Sequence, residues 1–187
     1  MNGSDLHRDL HGDALTLLRG WRAPNAAQED VRRRYVRHLE DQPGGLRRDC
    51  LPEHITASTL IISADRHRVL LTLHAKARAW FQMGGHCEEQ DTTLAGAAER
   101  EAAEESGLVD LGLDPCPVQL DVHDVAFCDP RGTVRHLDVR FVAVAPAADT
   151  SATSEESLDV AWWPIDALPT GEASLLELVA LARQRLG

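Results

Sequence analysis

An α/β protein built on a mixed β-sheet flanked by helices is the architecture this sequence predicts. Two observations carry it: apolar strand segments come in runs, and amphipathic helical segments stand before, between and after those runs. At 187 residues the chain is long enough for one ordinary domain with a proper core, preceded by a helical extension. We place the extension at residues 1–50 and the domain at 51–187.

Taken in order, Leu6 to Leu18 and Ala26 to Leu39 have helical composition, separated by the breaker "WRAPN", in which Asn25 is placed to start the second helix. "ITASTLIIS" (Ile55 to Ser63) and "RVLLTLHA" (Arg68 to Ala75) follow as two strands joined by the polar turn "ADRH". A glycine turn is expected at Gly84 and Gly85, then a helix from about Thr93 to Ser106 with Gly107 as its C-cap. "PVQLDVHDVAF" (Pro117 to Phe127) and "VRHLDVRFVAVA" (Val134 to Ala145) form the next strand pair around "CDPRG". The polar loop "DTSATSEES", the short strand "LDVAWWPI" and a closing amphipathic helix, "GEASLLELVALARQRLG", complete the chain.

Charge and cysteine usage bound the function. The formal net charge is −11, and its distribution is uneven: residues 1–50 carry a net +1, the remainder −12. A body so acidic repels phosphate-rich partners unless cations intervene, which argues against nucleic acid as a partner. No apolar run reaches the length of a membrane span and the N-terminus lacks a signal pattern, so a cytoplasmic protein with no membrane partner is expected. Cys50, Cys87, Cys116 and Cys128 stand singly, which suits free thiols in a reducing compartment, and the spacing gives no expectation of structural zinc.

The chemistry concentrates in "REAAEESGL" (Arg100 to Leu108). On a helix Glu101, Glu104 and Glu105 fall within an arc of about 100°. Like charges at these spacings cost a few tenths of a kcal/mol each, and the helix C-terminus disfavours anions. A hard divalent cation such as Mg²⁺, which takes oxygen ligands and bridges carboxylates to substrate phosphates, would relieve that repulsion. A solvated acidic face is the alternative for the glutamates alone. The neighbouring glycines allow close backbone approach, so the Gly85 carbonyl can join a metal shell, and Arg100 is placed to pair with a carboxylate and fix its rotamer.

The longer stretch "GGHCEEQDTTLAGAAEREAAEESGL" (Gly84 to Leu108) resembles the Nudix box, G-x5-E-x7-R-E-U-x-E-E-x-G-U with U a bulky apolar residue. Gly84, Arg100, Glu101, Glu104, Glu105, Gly107 and Leu108 match in type and order. Asp91 stands in place of the first Glu, Ala102 is smaller than the usual apolar residue, and eight residues instead of seven separate Asp91 from Arg100. Asp91 is left with two roles, metal contact through water or helix start. The resemblance implies a Nudix-type α/β/α sandwich and hydrolysis of a nucleoside diphosphate linked to another moiety, with Mg²⁺ or Mn²⁺. It further implies that Glu104 and Glu105 are the main metal ligands and that Glu101 is a ligand or the base. Glu156, from "ESLDVAWWPIDALP" (Glu156 to Pro169), is the rival base.

Other residues complete the candidate set. Trp80 and Phe81 could stack on a nucleobase or pack in the core, and Lys76, Arg78 and Arg140 could contact phosphate or lie on a solvated surface. One of Trp162 and Trp163 should face the core, leaving the other free to line a pocket. His7 and His11 share a helix face at i, i+4 without a third ligand nearby, and His86 follows the glycine pair. "RRRYVRH" (Arg32 to His38) is more consistent with a solvated helix face than with a nucleic-acid surface. Two other functions share the scaffold: a diphosphate isomerase, which would need a dedicated cysteine and acid pair that the surroundings of Cys87 do not resemble, and a nucleotide-sugar-sensing regulator. A homodimer is left open.

Overall fold

The computed structural model describes residues 3–146 and 157–187. Two helices lead, α1 (Gly3–Gly20) and α2 (Ala26–Asp41), followed by strands β1 (Glu53–Ile62), β2 (Arg68–His74), β3 (Trp80–Phe81) and β4 (Met83–His86). Helix α3 (Leu94–Ser106), strands β5 (Gly112–Asp129), β6 (Gly132–Val144) and β7 (Ser157–Pro164), and helix α4 (Ala173–Leu186) complete the order. The helix starts have local causes. Asn25 caps α2 by accepting from Gln28 N at 2.9 Å, and Thr93 caps α3 by accepting from Gly96 N at 3.0 Å. Gly107 closes α3 with φ 68°, a left-handed conformation suited to glycine.

The strands form one mixed seven-stranded sheet in the order β3-β2-β1-β6-β5, with β4 also paired to β1 and β7 to β2. Its central pair, β1 with β6, is parallel, and the other pairings are antiparallel. The β1–β2 hairpin forms, but only Ile61 and Ile62 of β1 pair with β2; Thr56 to Thr59 pair with β4 instead. β1 is therefore a strand whose neighbour changes along its length, and the change opens one end of the sheet.

Strand alternation divides the sheet faces. Ile55, Ala57, Leu137, Val139 and Phe141 face one way and join Leu94, Ala97 and Ala98 of α3 in a core that also holds Leu10, Ala14 and Leu18 of α1 and Tyr35 and Leu39 of α2. Leu60, Ile62, Val142 and Val69 face the other way, against Leu175, Leu178 and Ala182 of α4. The result is a helix–sheet–helix sandwich. The N-terminal helices are built into it: Trp21 Nε1 donates to Pro117 O at 2.6 Å, and Gln28 exchanges two hydrogen bonds with the backbone of Leu120. Because β5 is the last strand in the order, that amide covers an edge left open for pairing.

The glycine pair corrects an expectation. Gly84 and Gly85 do not form a turn; they lie in the extended strand β4, opposite Ser58 and Ala57 of β1. Proximity explains them. A Cβ at Gly84 would lie 2.3 Å from Ser58 Cβ, and one at Gly85 2.6 Å from a Glu101 carboxylate oxygen.

Candidate active site

Arg100 organises the carboxylates of α3. Its Nε and Nη2 grip Asp91 at 3.1 and 3.0 Å, while Nη1 reaches Glu101 and Glu104, each at 3.0 Å. Nη2 also donates to the His86 carbonyl at 2.9 Å, tying the helix to the end of β4. Asp91, buried, accepts from Glu88 N at 2.8 Å as well. This settles its local place: Thr93 is the helix cap, and Asp91 fastens the arginine and the loop entering α3.

The three glutamates differ in setting. Glu104 is exposed, Glu101 is largely buried against Gly85, and Glu105 is buried with Oε2 accepting from Gly84 N at 2.9 Å. Burial pushes the Glu101 carboxyl above its ordinary range, an effect that Arg100 opposes. For Arg100, burial opposes the charge, but Asp91 and Glu101 outweigh it and hold the guanidinium more firmly protonated than usual. The set suits a hard cation: three carboxylates meet a backbone that carries no Cβ at the place where Glu101 lies.

Beyond β4 the open end of the sheet forms a cavity of about 390 Å³. Gly84, Gly85 and Glu105 form its side toward α3, and Lys76, Phe81 and Phe127 line it elsewhere. Lys76 Nζ lies 5.9 Å from the centre of the Phe127 ring, which is 40% exposed. The floor is polar. Asp138, almost fully buried, accepts from Thr56 Oγ1 at 3.0 Å, Ser58 Oγ at 2.7 Å and Arg140 Nε at 2.9 Å. Burial of that carboxylate is compensated by its donors.

The sequence-derived candidates are thereby sorted. Lys76 and Phe81 line the cavity. Trp80 does not; its ring packs edge-on against Trp163, 5.4 Å between centroids, over the α4 face. Trp162 packs against a third apolar cluster, which includes Ile61, Leu70 and Met83, and lies under Arg68. Neither Trp162 nor Trp163 is among the described residues lining the cavity. Arg140 does line it, but is buried and committed to Asp138, Asp121, Gln119 and Ser174. That guanidinium holds the floor together instead of standing free for phosphate. Arg78 is not among the lining residues, and His11 hydrogen-bonds Leu39 O at 2.9 Å. Glu156 and the His7 side chain lie outside the described residues.

Arg32 and Arg33 pair with Glu29, Arg34 pairs with Glu53, and Tyr35 is buried with its hydroxyl donating to Asp121 O at 2.5 Å. Much of the "RRRYVRH" charge is thus answered within the chain. Cys87, half-buried, packs against the core, and burial, with Asp91 nearby, pushes its thiol up to about 12. All four cysteines are free.

Sequence reasoning missed the polar floor. Its signal was present in "HLDVR": His136, Asp138 and Arg140 alternate on one face of β6. It also missed a group at the cavity's far end, where His54, His86, Cys128 and His136 place one ligand atom each within 4.8 Å of one another. Burial pushes His86 down to about 4 and His136 down to about 2, with neighbouring histidines adding to the shift.

The NUDIX domain family model matches residues 52–182. No curated protein matches the sequence. Among solved structures, a NUDIX family hydrolase from Clostridium perfringens is similar at 22% identity and TM-score 0.55, covering 71% of this chain and 97% of that one. The NUDIX domain of Shewanella oneidensis NrtR, complexed with ADP ribose, is similar at 24% identity and TM-score 0.55, covering 71% and 88%. A C. elegans Ap4A hydrolase gives 16% identity and TM-score 0.57, covering 71% and 96%. These likenesses establish the α/β/α fold, and the family match spans most of the chain, including the glycine strand, the carboxylate helix and the cavity floor. The chain belongs to the NUDIX family.

Proposed function

We propose that this chain hydrolyses the diphosphate linkage of a nucleoside diphosphate joined to another moiety, in a metal-dependent reaction. The observation that supports it most is the Arg100-centred carboxylate cluster lying beside a cavity of about 390 Å³, within the range of small-molecule sites. Mg²⁺ or Mn²⁺ would be held by Glu101, Glu104, Glu105 and the Gly85 carbonyl, and when bound would neutralise the diphosphate and lower the pKa of a water near phosphorus. Arg100 keeps Glu101 and Glu104 in place and ties them to β4. Glu101, or Glu156 as its rival, accepts the proton of the attacking water. Lys76 meets a phosphate, and Phe81 and Phe127 offer faces to a base. Trp80 and Arg140 act indirectly, one packing under the cavity wall and the other holding its floor. Residues 1–50 form a helical extension covering the domain of residues 51–187, and we place the protein in the cytoplasm without a nucleic-acid or membrane partner. A homodimer is compatible with this reading.

A screen of phosphate release from nucleotide sugars, ADP-ribose, dinucleoside polyphosphates, CoA derivatives and damaged nucleotides, with Mg²⁺ or Mn²⁺, tests the proposal. Wild type should turn over at least one class. Glu104→Gln removes one charge at nearly constant volume from an exposed position, so it should keep the fold and lose most activity. Wild-type rates for that variant at limiting Mg²⁺ would remove Glu104 from the site. No turnover of any class, with binding of one by calorimetry, would favour the sensor function.

A further inference from the structure

The geometry points to a second metal site, a Zn²⁺ centre formed by His54, His86, Cys128 and His136, separate from the α3 carboxylates. The four residues come from four strands. His54 stands near the start of β1 opposite His136 of β6, His86 ends β4 opposite Thr56 of β1, and Cys128 lies near the end of β5. Sheet pairing alone gathers them, so nothing in their sequence spacing announces the group.

His54 is the most telling member. It is fully buried, its Nδ1 is occupied by the Cys50 carbonyl at 3.1 Å, and its Nε2 is buried with no hydrogen-bond partner. A buried polar atom left unsatisfied is costly, and an imidazole whose outer nitrogen is held by a carbonyl is oriented as metal-binding histidines are. The His54 ring lies 5.0 Å from that of His86 and 4.9 Å from that of His136, centroid to centroid.

The cysteine makes the same argument from the other side. Cys128 Sγ is 3.4 Å from His86 Nε2 and 3.3 Å from His136 Nε2. A thiol has one proton and can donate to only one of two such nitrogens, so the other imidazole meets the sulfur only as a weak N–H donor. Bound zinc satisfies both nitrogens and the thiolate together. With Zn–N and Zn–S bonds of ordinary length, a tetrahedral site sets its N···S edges at roughly 3.5 Å, close to the two separations seen. A donor set of three imidazoles and one thiolate suits zinc and not Mg²⁺, which takes oxygen.

Four protein ligands leave no open coordination position, so this centre is structural. It would staple the start of β1, the end of β4 and the β5–β6 hairpin at one point. His86 adjoins Gly85, and its carbonyl receives the Arg100 hydrogen bond. The staple would therefore hold one end of the glycine strand while Arg100 holds it to α3. The metal, three neutral imidazoles and one thiolate sum to a single positive charge at the end of a cavity in a strongly acidic protein.

Metal analysis and cobalt substitution of the full chain, purified with a thiol reductant and without chelators, test this. Wild type should retain about one zinc per chain through dialysis. Replacement by Co²⁺ should give a tetrahedral visible spectrum with a thiolate-to-cobalt charge-transfer band. Cys128→Ser should lose that band and weaken zinc binding by at least about 100-fold in competition with a chromophoric chelator. Cys116→Ser and Glu104→Gln should leave both readouts unchanged, which separates this centre from other thiols and from the α3 carboxylates. Should Cys128→Ser fail to fold, His136→Asn replaces it, and the wild-type spectrum still decides the matter. Zinc well below one equivalent with no charge-transfer band in wild type, or a band that survives Cys128→Ser, would overturn the assignment.

Discussion

Arg100 answers the electrostatic problem posed by the acidic helix. Three carboxylates on one arc repel, and one guanidinium reduces that repulsion by touching Glu101 and Glu104 at once while Asp91 secures its other edge. The departures from the family pattern make sense at this scale: a shorter Asp on a longer loop still reaches the arginine. The proposed general base is tested at this scale too. If Glu101 activates water, Glu101→Gln should lower kcat by about 10²-fold or more, and saturating metal should not restore it. Glu156→Gln should then change kcat only slightly. Steady-state kinetics across Mg²⁺ concentration distinguish the cases: a collapse at Glu156, with Glu101→Gln rescued by excess metal, moves the base to the later loop.

Strand β4 is the element on which the site turns. It is only four residues long, yet it borders β1, α3 and the cavity, and its two glycines let those neighbours approach. Gly84→Ala should destabilise the protein by about 1–3 kcal/mol, the usual cost of overpacking, because Ser58 on the facing strand cannot yield far. Chemical denaturation measures this directly; a wild-type midpoint would show that β4 can move away from β1. Helix α3 was legible because its signals are local: a carboxylate arc and a terminal glycine. β4 was not, since "MGGH" has the composition of a turn and becomes a strand only through its pairing with β1. Trp80 and Arg140 escaped for a related reason, because a residue's type does not say which face of a strand it occupies until the register is known.

Across the whole molecule, the helices, the longer strands and the carboxylate platform could be read from the chain, while β3, β4 and the cavity floor depend on residues far apart in sequence. The N-terminal helices belong to the same core, so their integrity should matter for stability. Leu18 is fully buried, and Leu18→Ala should cost about 2–5 kcal/mol by denaturant titration. Fluorescence titration with duplex DNA at physiological salt should show no binding, since the acidic body and the internally paired arginines leave little attraction for a polyanion. Nanomolar affinity would reverse that expectation and promote the regulator function. The parallel register of β1 with β6 has a consequence for synthesis. Its partners stand about 80 positions apart, so closing that pair is a long-range event. While a nascent chain lacks Gly132 to Val144, β1 has no partner on that side, and Thr56 and Ser58 await the carboxylate of Asp138. Fragments ending before β6 therefore expose an apolar strand edge, and it is during translation that this chain is most open to aggregation.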